Sequence, residues 1–257
     1  MAGVPNGDDG LAALLASAGF VAADEEAAEL VTCAAGDGDQ LKRLVARRLA
    51  GEPLAWITGR VSFCGVDILV HPGVYVPRWQ SEPLARRAVQ CLPEDGVAID
   101  LCAGSGAIAK VLATARPRAR VVACELDERA AACATANGVE VYCGDLFAPL
   151  PDGLERRVDV VVGVVPYVPS PALALLPRDT LAFESPLSYD GGPEGTDVLR
   201  RVVLGSPRFL RPGGTLLLEL GGDQAAVLEG DLACQGFVDV TVLLDEDDDA
   251  RGVEAIF

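Results

Sequence analysis

The chain has a single histidine, His71, set between an apolar run and Pro72. A Ser-His-Asp triad would have to use it, and no Gly-x-Ser-x-Gly elbow accompanies it. A metal site built on several histidines is excluded. Eight cysteines stand at 33, 64, 91, 102, 124, 133, 143 and 234, yet no two are spaced Cys-x-x-Cys. Neither a zinc knuckle nor a dithiol redox motif is written in them. No Lys or Arg precedes the first apolar stretch, so no secretory signal is expected, and reduced thiols in the cytoplasm are. No apolar run approaches the ~20 residues that span a bilayer. Positive charge is scarce too: 21 Lys and Arg against 38 Asp and Glu give a net charge of -17. That field repels phosphate backbones and argues against direct nucleic-acid contact. The one basic cluster, "LKRLVARR" from Leu41, carries Leu41, Leu44, Val45 and Leu49 at helical spacing. It is either the solvated face of a helix or a docking patch for an acidic partner.

Half the residues are hydrophobic, dominated by Ala, Val and Leu. This suits helices packed on a parallel sheet. A chain of 257 residues can bury one large core plus a small appendage. Residues 1–10 are expected to lack regular structure. From Leu11 to about Gly51 the pattern is helical, broken at Gly19 and at "AGDGD", with Asp24 expected as an N-cap. "VSFCGVDILV" reads as a hairpin about Gly65, and a Pro-punctuated connector follows. The expected division is a helical domain over 1–60, a hairpin linker over 61–80 and a sheet domain over 81–257.

After Pro93 strands and helices alternate. "GVAIDL", "RVVACEL", "VEVYCGDLF", "VDVVVGVV" and "GGTLLLEL" are strands. Helices are expected over 107–115, 128–137, 197–209 and from about 224. Such alternation predicts an α/β fold with a doubly wound parallel sheet. "VDVTVLL" and "VEAIF" break the rule, because the eight residues between them are too few for a helical crossover. They are expected to close the sheet as an antiparallel hairpin, making seven strands.

Three strand tips carry acids in order. Asp100 ends the first strand and precedes a turn holding Gly104 and Gly106, where backbone can approach a ligand without Cβ interference. Glu125 ends the next strand and can accept both hydroxyls of a ribose. Asp145 ends the third and can accept from an adenine amino group, with Leu146 and Phe147 flanking the ring. The turn has no Gly-Lys-Ser/Thr, so it is not a phosphate loop, which favours an adenosine-type cofactor without phosphates.

With the terminal hairpin, this layout resembles class I S-adenosylmethionine-dependent methyltransferases. From roughly Gly51 onward the chain is similar to the protein glutamine-N5 methyltransferases that modify peptide-chain release factors. "ITGRVSFCGVDILVHPGVYVPRWQSEPL" matches that family's connector through Pro77, Arg78 and Glu82, with Ser81 in place of Thr. "DLCAGSGAIA" matches its cofactor loop, with Cys102 in place of Gly, and "FESPLSYDGGPEGTDVLRRVV" matches the later segment through Glu184, Gly191 and Gly192, with Ser185 in place of Pro. The resemblance implies S-adenosylmethionine as cofactor, held by Asp100, Cys102, Ala103, Gly104, Gly106, Glu125, Asp145, Leu146 and Phe147. It places Arg78, Glu82 and Glu184 on the substrate side and implies a release factor, another protein or a small molecule as acceptor. Tyr189 is expected only to pack.

The departure lies in the acceptor turn. The family's fourth strand ends in Asn-Pro-Pro-Tyr, whose Asn oxygen and a neighbouring carbonyl orient the substrate amide. Here those four positions are Val164, Val165, Pro166 and Tyr167. The aromatic is kept and the polar acceptor is lost. Two readings follow: a methyltransferase with a diverged acceptor, or a catalytically silent cofactor-binding or partner-binding protein.

Overall fold

In the computed structural model, residues 8–176 and 178–257 are described. They form two compact units, divided between Arg60 and Val61.

The smaller unit contains helices α1 (Asp8–Ser17), α2 (Ala23–Ala34), α3 (Gly38–Leu49) and α4 (Leu54–Thr58). Their apolar stripes meet in a core that includes Leu11, Leu15, Leu30, Leu44 and Val45. Two expectations need correction. Residues 8–10, expected to be irregular, form the first turn of α1; residues 1–7 lie outside the described residues. Asp24 is not an N-cap, because α2 begins one residue earlier behind Ala22. Asp24, Glu25 and Glu26 instead fill the first turn, where free N–H groups favour negative charge. The capping acid is Asp37, whose Oδ1 accepts from the N–H groups of Asp39 and Gln40 at 2.9 Å.

The basic cluster braces this unit internally. Arg48 donates to both Glu26 oxygens at 2.6 and 2.9 Å and lies 3.9 Å from the Phe20 ring centroid. Arg47 forks onto Glu52, and Lys42 pairs with Asp39. Most of its charge is therefore matched within the same unit.

A hairpin of β1 (Arg60–Phe63) and β2 (Val66–Leu69) follows, all but its first residue in the larger unit. Its two turn residues, Cys64 and Gly65, have φ of 50° and 74°, the mirror-image turn that suits the twist of paired strands. Then come α5 (Glu82–Cys91), β3 (Val97–Leu101), α6 (Ala107–Ala115), β4 (Arg120–Glu125), α7 (Glu128–Ala136), β5 (Glu140–Cys143) and β6 (Val158–Gly163). After a long crossing come α8 (Arg178–Phe183), α9 (Asp197–Gly205), β7 (Leu210–Glu219), α10 (Gln224–Cys234), β8 (Val238–Leu244) and β9 (Ala250–Ile256). The helix expected to reach Phe209 stops at Gly205 and tightens into a short 3-10 turn around Pro207, which cannot donate to the α-helical ladder.

The strand order is β5-β4-β3-β6-β7-β9-β8. The first five are parallel, and β9 runs antiparallel to both β7 and β8. The seven-stranded sheet and its terminal hairpin are as the sequence pattern predicts. Val160, Val161, Val162, Leu216 and Leu218 are fully buried because helices cover both faces. The chain leaves β3 toward β4 on one side and later returns through β6 on the other. The crevice for a ligand opens at that switch, beyond the strands' carboxyl ends.

Arg48→Ala is expected to weaken the small unit by about 1–3 kcal/mol, the usual loss for hydrogen bonds to a largely buried charged group. Faster amide exchange in α2 and α3 is the measurement; unchanged exchange would show that Glu26 and Phe20 do not need it.

Candidate active site

A cavity of about 470 Å³ lies past the ends of β3, β4, β5 and β6. Asp100, Glu125 and Leu146 line one end, and Tyr75, Val164 and Tyr167 line the other.

The first end is organised by the turn after β3. Cys102, Gly104 and Gly106 have φ of 55°, 58° and 79°. At Gly106 a Cβ would meet Val139 Cγ2 at 2.9 Å and the Ala134 Cβ at 3.0 Å, so no side chain fits. Cys102 holds a left-handed conformation that costs an L-residue energy, in the position where glycine was expected. Asn137 steadies the turn from behind, donating to the Ser105 and Leu69 carbonyls at 2.8 and 2.9 Å. Glu125 steadies it from the side. Its Oε2 accepts from the Gly104 N–H at 2.7 Å and its Oε1 from the Asp127 N–H at 2.8 Å. Burial raises the Glu125 pKa, and these main-chain donors oppose the rise. Asp100 is fully buried and accepts from the Ala109 N–H at 2.9 Å. Burial pushes its pKa up to about 7, with that bond opposing and the Glu125 charge adding.

Of the expected cofactor residues, Asp100, Cys102, Ala103, Gly104, Glu125, Asp145 and Leu146 share the cavity wall. Two do not. Gly106 lies behind the wall, where it lets α7 approach. Phe147 turns inward and stacks on Phe209, centroids 5.0 Å apart, with Gly205 leaving room for its ring. Asp145 reaches the wall already paired, with Arg201 Nη2 at 2.5 Å from its Oδ2. Arg201, which sequence reasoning missed, also lines the cavity.

The second end is built on the turn after β6. Val164, Val165, Pro166 and Tyr167 all line it. The Tyr167 carbonyl accepts from Gln224 Nε2 at 2.7 Å, and its hydroxyl donates to Glu219 Oε1 at 3.0 Å. The next residue is tied across: Val168 N–H donates to the Tyr189 carbonyl and its carbonyl accepts from Gly191 N–H. Gly191 is required here, since a Cβ would stand 2.8 Å from the Pro166 carbonyl oxygen.

Arg78 and Glu184 meet, but as a brace rather than as free substrate ligands. Glu184 is buried; it accepts from the Val76 N–H at 2.8 Å, from Arg78 Nη2 at 2.5 Å and from the Tyr189 hydroxyl. Arg78 lines the cavity, whereas Glu184 is not among the wall residues. Tyr75 stands edge-on to Tyr189, centroids 5.6 Å apart, so Tyr189 is part of the wall and not mere packing. Burial pushes the Tyr75 hydroxyl up to about 12. Glu82 is elsewhere: it accepts from the Cys64 N–H at 2.9 Å and pairs with Arg86, clamping the hairpin turn to α5. Its likeness in sequence position could not reveal that direction. Tyr75 and Glu219 were also missed. The available signal was an acid closing the otherwise apolar "TLLLE".

One end thus offers buried carboxylates and a bare main-chain turn, suited to a hydroxyl-bearing group without phosphates. The other offers aromatic and aliphatic walls, and there Arg78 is committed to Glu184.

The family model described as the methyltransferase small domain matches residues 66–163. A release factor glutamine methyltransferase of Geobacter sulfurreducens is 38% identical over 202 residues, covering 76% of this chain and 70% of that protein. A 4-amino-L-phenylalanine/4-methylamino-L-phenylalanine methyltransferase of Streptomyces pristinaespiralis is 36% identical over 210 residues, covering 77% and 71%. Among solved structures, the Thermus thermophilus 16S rRNA N2 G1207 methyltransferase in complex with AdoMet and guanosine shares the fold. Its TM-score is 0.51 at 19% identity, covering 77% of this chain and 44% of that one.

The Asp100 carboxyl sets a pH dependence whose sign is fixed. Its folded value, about 7, is above the unfolded 3.8. Its contribution is therefore fully present below pH 4 and is lost as pH rises toward 7, by about 1.4 kcal/mol per pH unit. Asp100→Asn keeps an oxygen for the Ala109 N–H and removes the charge. In urea titrations the variant should be more stable than the native chain at pH 8 and gain little at pH 4. An equal difference at both values would contradict a buried, titrating Asp100.

Proposed function

The chain belongs to the family of release factor glutamine methyltransferases, and from that premise we propose that it transfers a methyl group to an amino nitrogen rather than to the carboxamide for which the family is named. It is an S-adenosylmethionine-dependent methyltransferase with the class I fold. The observation that carries the acceptor reading is the wall at Val164 and Val165.

The residues fit the cofactor. The Cys102–Gly106 turn gives close main-chain approach, the cavity has room, and Arg201 is neutralised by Asp145 instead of waiting for a phosphate. Glu125 would hold the ribose hydroxyls, and Asp145 with Leu146 the adenine. When bound, S-adenosylmethionine supplies an electrophilic methyl group on a positively charged sulfur, and the Glu125 carboxylate favours that charge. The protein then has to orient the acceptor in line with the methyl, and positioning of this kind is worth up to ~7–11 kcal/mol.

A carboxamide nitrogen shares its lone pair with the carbonyl. To attack, it needs its N–H groups held by acceptors. Val164 and Val165 offer only main-chain carbonyls, and one buried N–H left unpaired costs about 1–3 kcal/mol, a ~10- to 100-fold loss. An amine keeps its lone pair on nitrogen and does not need that help. The aromatic walls from Tyr75, Tyr167 and Tyr189 suit an aryl-bearing amine, the class named for the Streptomyces relative. The second reading, a release-factor glutamine held by the Val164 and Val165 carbonyls, is favoured by the identity to the Geobacter enzyme.

We assign residues 1–60 to acceptor recognition, the hairpin stretch 61–80 to a linker, and 81–257 to cofactor binding and transfer. The net charge of -17 supports an acceptor other than a nucleic acid. We place the protein in the cytoplasm; among the described residues no helix is long and apolar enough to cross a membrane.

Glu125→Ala should weaken S-adenosylmethionine binding by about 1–3 kcal/mol in calorimetry, as when a charged acceptor is removed. Undiminished affinity would remove Glu125 from the cofactor site. For the acceptor, labelled methyl transfer should be run on 4-amino-L-phenylalanine and on a release factor carrying its glutamine loop. The native chain should label the amine, and Val164→Asn should raise labelling of the release factor about tenfold or more, recovering the unpaired N–H. Efficient labelling of the release factor by the native chain, with no gain in the variant, would establish the second reading.

A further inference from the structure

Glu219 is the last residue of β7 and the only acid in that strand. The register pairs Gly163, the last residue of β6, with Leu218, so Glu219 ends β7 where the turn that begins at Val164 leaves β6. Its bond to the Tyr167 hydroxyl puts the acid beside the wall that lacks the polar acceptor. It is 7% exposed. Its Oε1 accepts from the Tyr167 hydroxyl at 3.0 Å, and its Oε2 is buried with no hydrogen-bond partner. The charged and titratable groups that face it are Arg251, Tyr167 and Tyr75, with the Ser81 hydroxyl alongside. Burial raises the Glu219 pKa, and Ser81, Tyr167 and Arg251 oppose the rise.

Tyr167 is the wall residue this acid holds. Its main chain is already fixed by Gln224 and by the ties at Val168, so Glu219 supplies the remaining constraint, on the ring. A carboxylate can only accept, which obliges the tyrosine hydroxyl to donate and enriches the ring in electrons. Burial and the Glu219 charge together drive the Tyr167 pKa far up, so the hydroxyl stays protonated. An acid is a poor choice for packing alone. A buried carboxylate oxygen without a partner is destabilising, and a neutral side chain of the same shape would avoid it.

We propose that Glu219 is a positioning residue that orients and polarises the Tyr167 ring at the acceptor end of the cavity, and so sets where the acceptor nitrogen sits. The proposal rests on the reading of that end as the acceptor site.

Three variants test it: Glu219→Ala, Glu219→Gln and Tyr167→Phe. Glutamine retains an oxygen for the hydroxyl, is isosteric and removes the buried charge, so it should fold at least as well as the native chain in thermal unfolding. Calorimetry with S-adenosylmethionine should give affinities within about twofold of native for all three, because each leaves the cofactor end untouched. With 4-amino-L-phenylalanine as acceptor, Glu219→Ala and Tyr167→Phe should each lose about tenfold or more in kcat/KM, the scale of a misplaced reactant. Glu219→Gln should fall less. Combining Glu219→Ala with Tyr167→Phe should lose no more than either alone, since both remove one bond. In NMR of ring-labelled tyrosine, the Tyr167 signal, identified by Tyr167→Phe, should shift in Glu219→Ala and less in Glu219→Gln. If the native chain methylates neither this amine nor the release factor, the acceptor reading fails by itself, and the Tyr167 signal still decides whether Glu219 holds the ring. An unmoved Tyr167 signal, multiplying losses in the double variant, or cofactor affinity falling in step with turnover would each overturn the proposal.

Discussion

One register holds the site together: β3 beside β6, with Leu101 level with Gly163. That pairing places the turn after β3 next to the turn after β6, and each supplies one end of the cavity. The strands carrying the two turns are separated by four other elements in sequence, yet their ends are neighbours. The order of connections enforces this, because successive crossovers leave β3 on one side and return on the other. Every further contact at the site, from Glu125 on the Gly104 N–H to Glu219 on the Tyr167 hydroxyl, presupposes that alignment.

Buried acids then do the finer work. Asp100, Glu184 and Glu219 are each more than nine-tenths buried, and Glu125 is partly so. Burying a carboxylate is unfavourable unless donors compensate. Here the donors are mostly main-chain N–H groups without a helix or strand partner: Gly104, Asp127 and Val76 in loops, and Ala109 in the first turn of α6. Each acid thereby fixes a loop or a helix start. The exception is Glu219, which satisfies a side chain and leaves one oxygen orphaned. The acids at 100, 125 and 184 each fix main chain around the cavity, whereas Glu219 fixes the side chain of a wall tyrosine.

The acceptor end differs from the cofactor end in kind. Around the cofactor turn the expected residue types are present, with Cys102 as the one substitution, and its left-handed φ shows that the turn kept its shape. The turn after Val164 and Val165 is held by Gly191, Gln224 and the ties at Val168. The side chains at its start are aliphatic, so the turn is firmly braced while its first two residues offer an acceptor main-chain carbonyls alone.

Period and composition were enough to read the strands, their alternation with helices, and the terminal hairpin. A loop of eight residues cannot hold a crossover, whatever surrounds it. The acids at 100, 125 and 145 were legible because a residue at the end of a buried parallel strand has only the crevice to face. What only the tertiary structure decided is direction and partnership. Phe147 had two places to go and chose Phe209, because Gly205 left room there. Glu82 turned to the hairpin, Arg48 to Glu26 and Phe20, Asp145 to Arg201, and Tyr189 to Glu184. Apart from the last, these pairs join residues between 18 and 56 positions apart in the chain. Local pattern carries no information about them, since which donor meets which acceptor depends on how separate elements are brought side by side. Glu219 is the plainest case: an acid ending an apolar strand is visible in the sequence, but its bond to a tyrosine 52 residues away exists only once β6 and β7 pair.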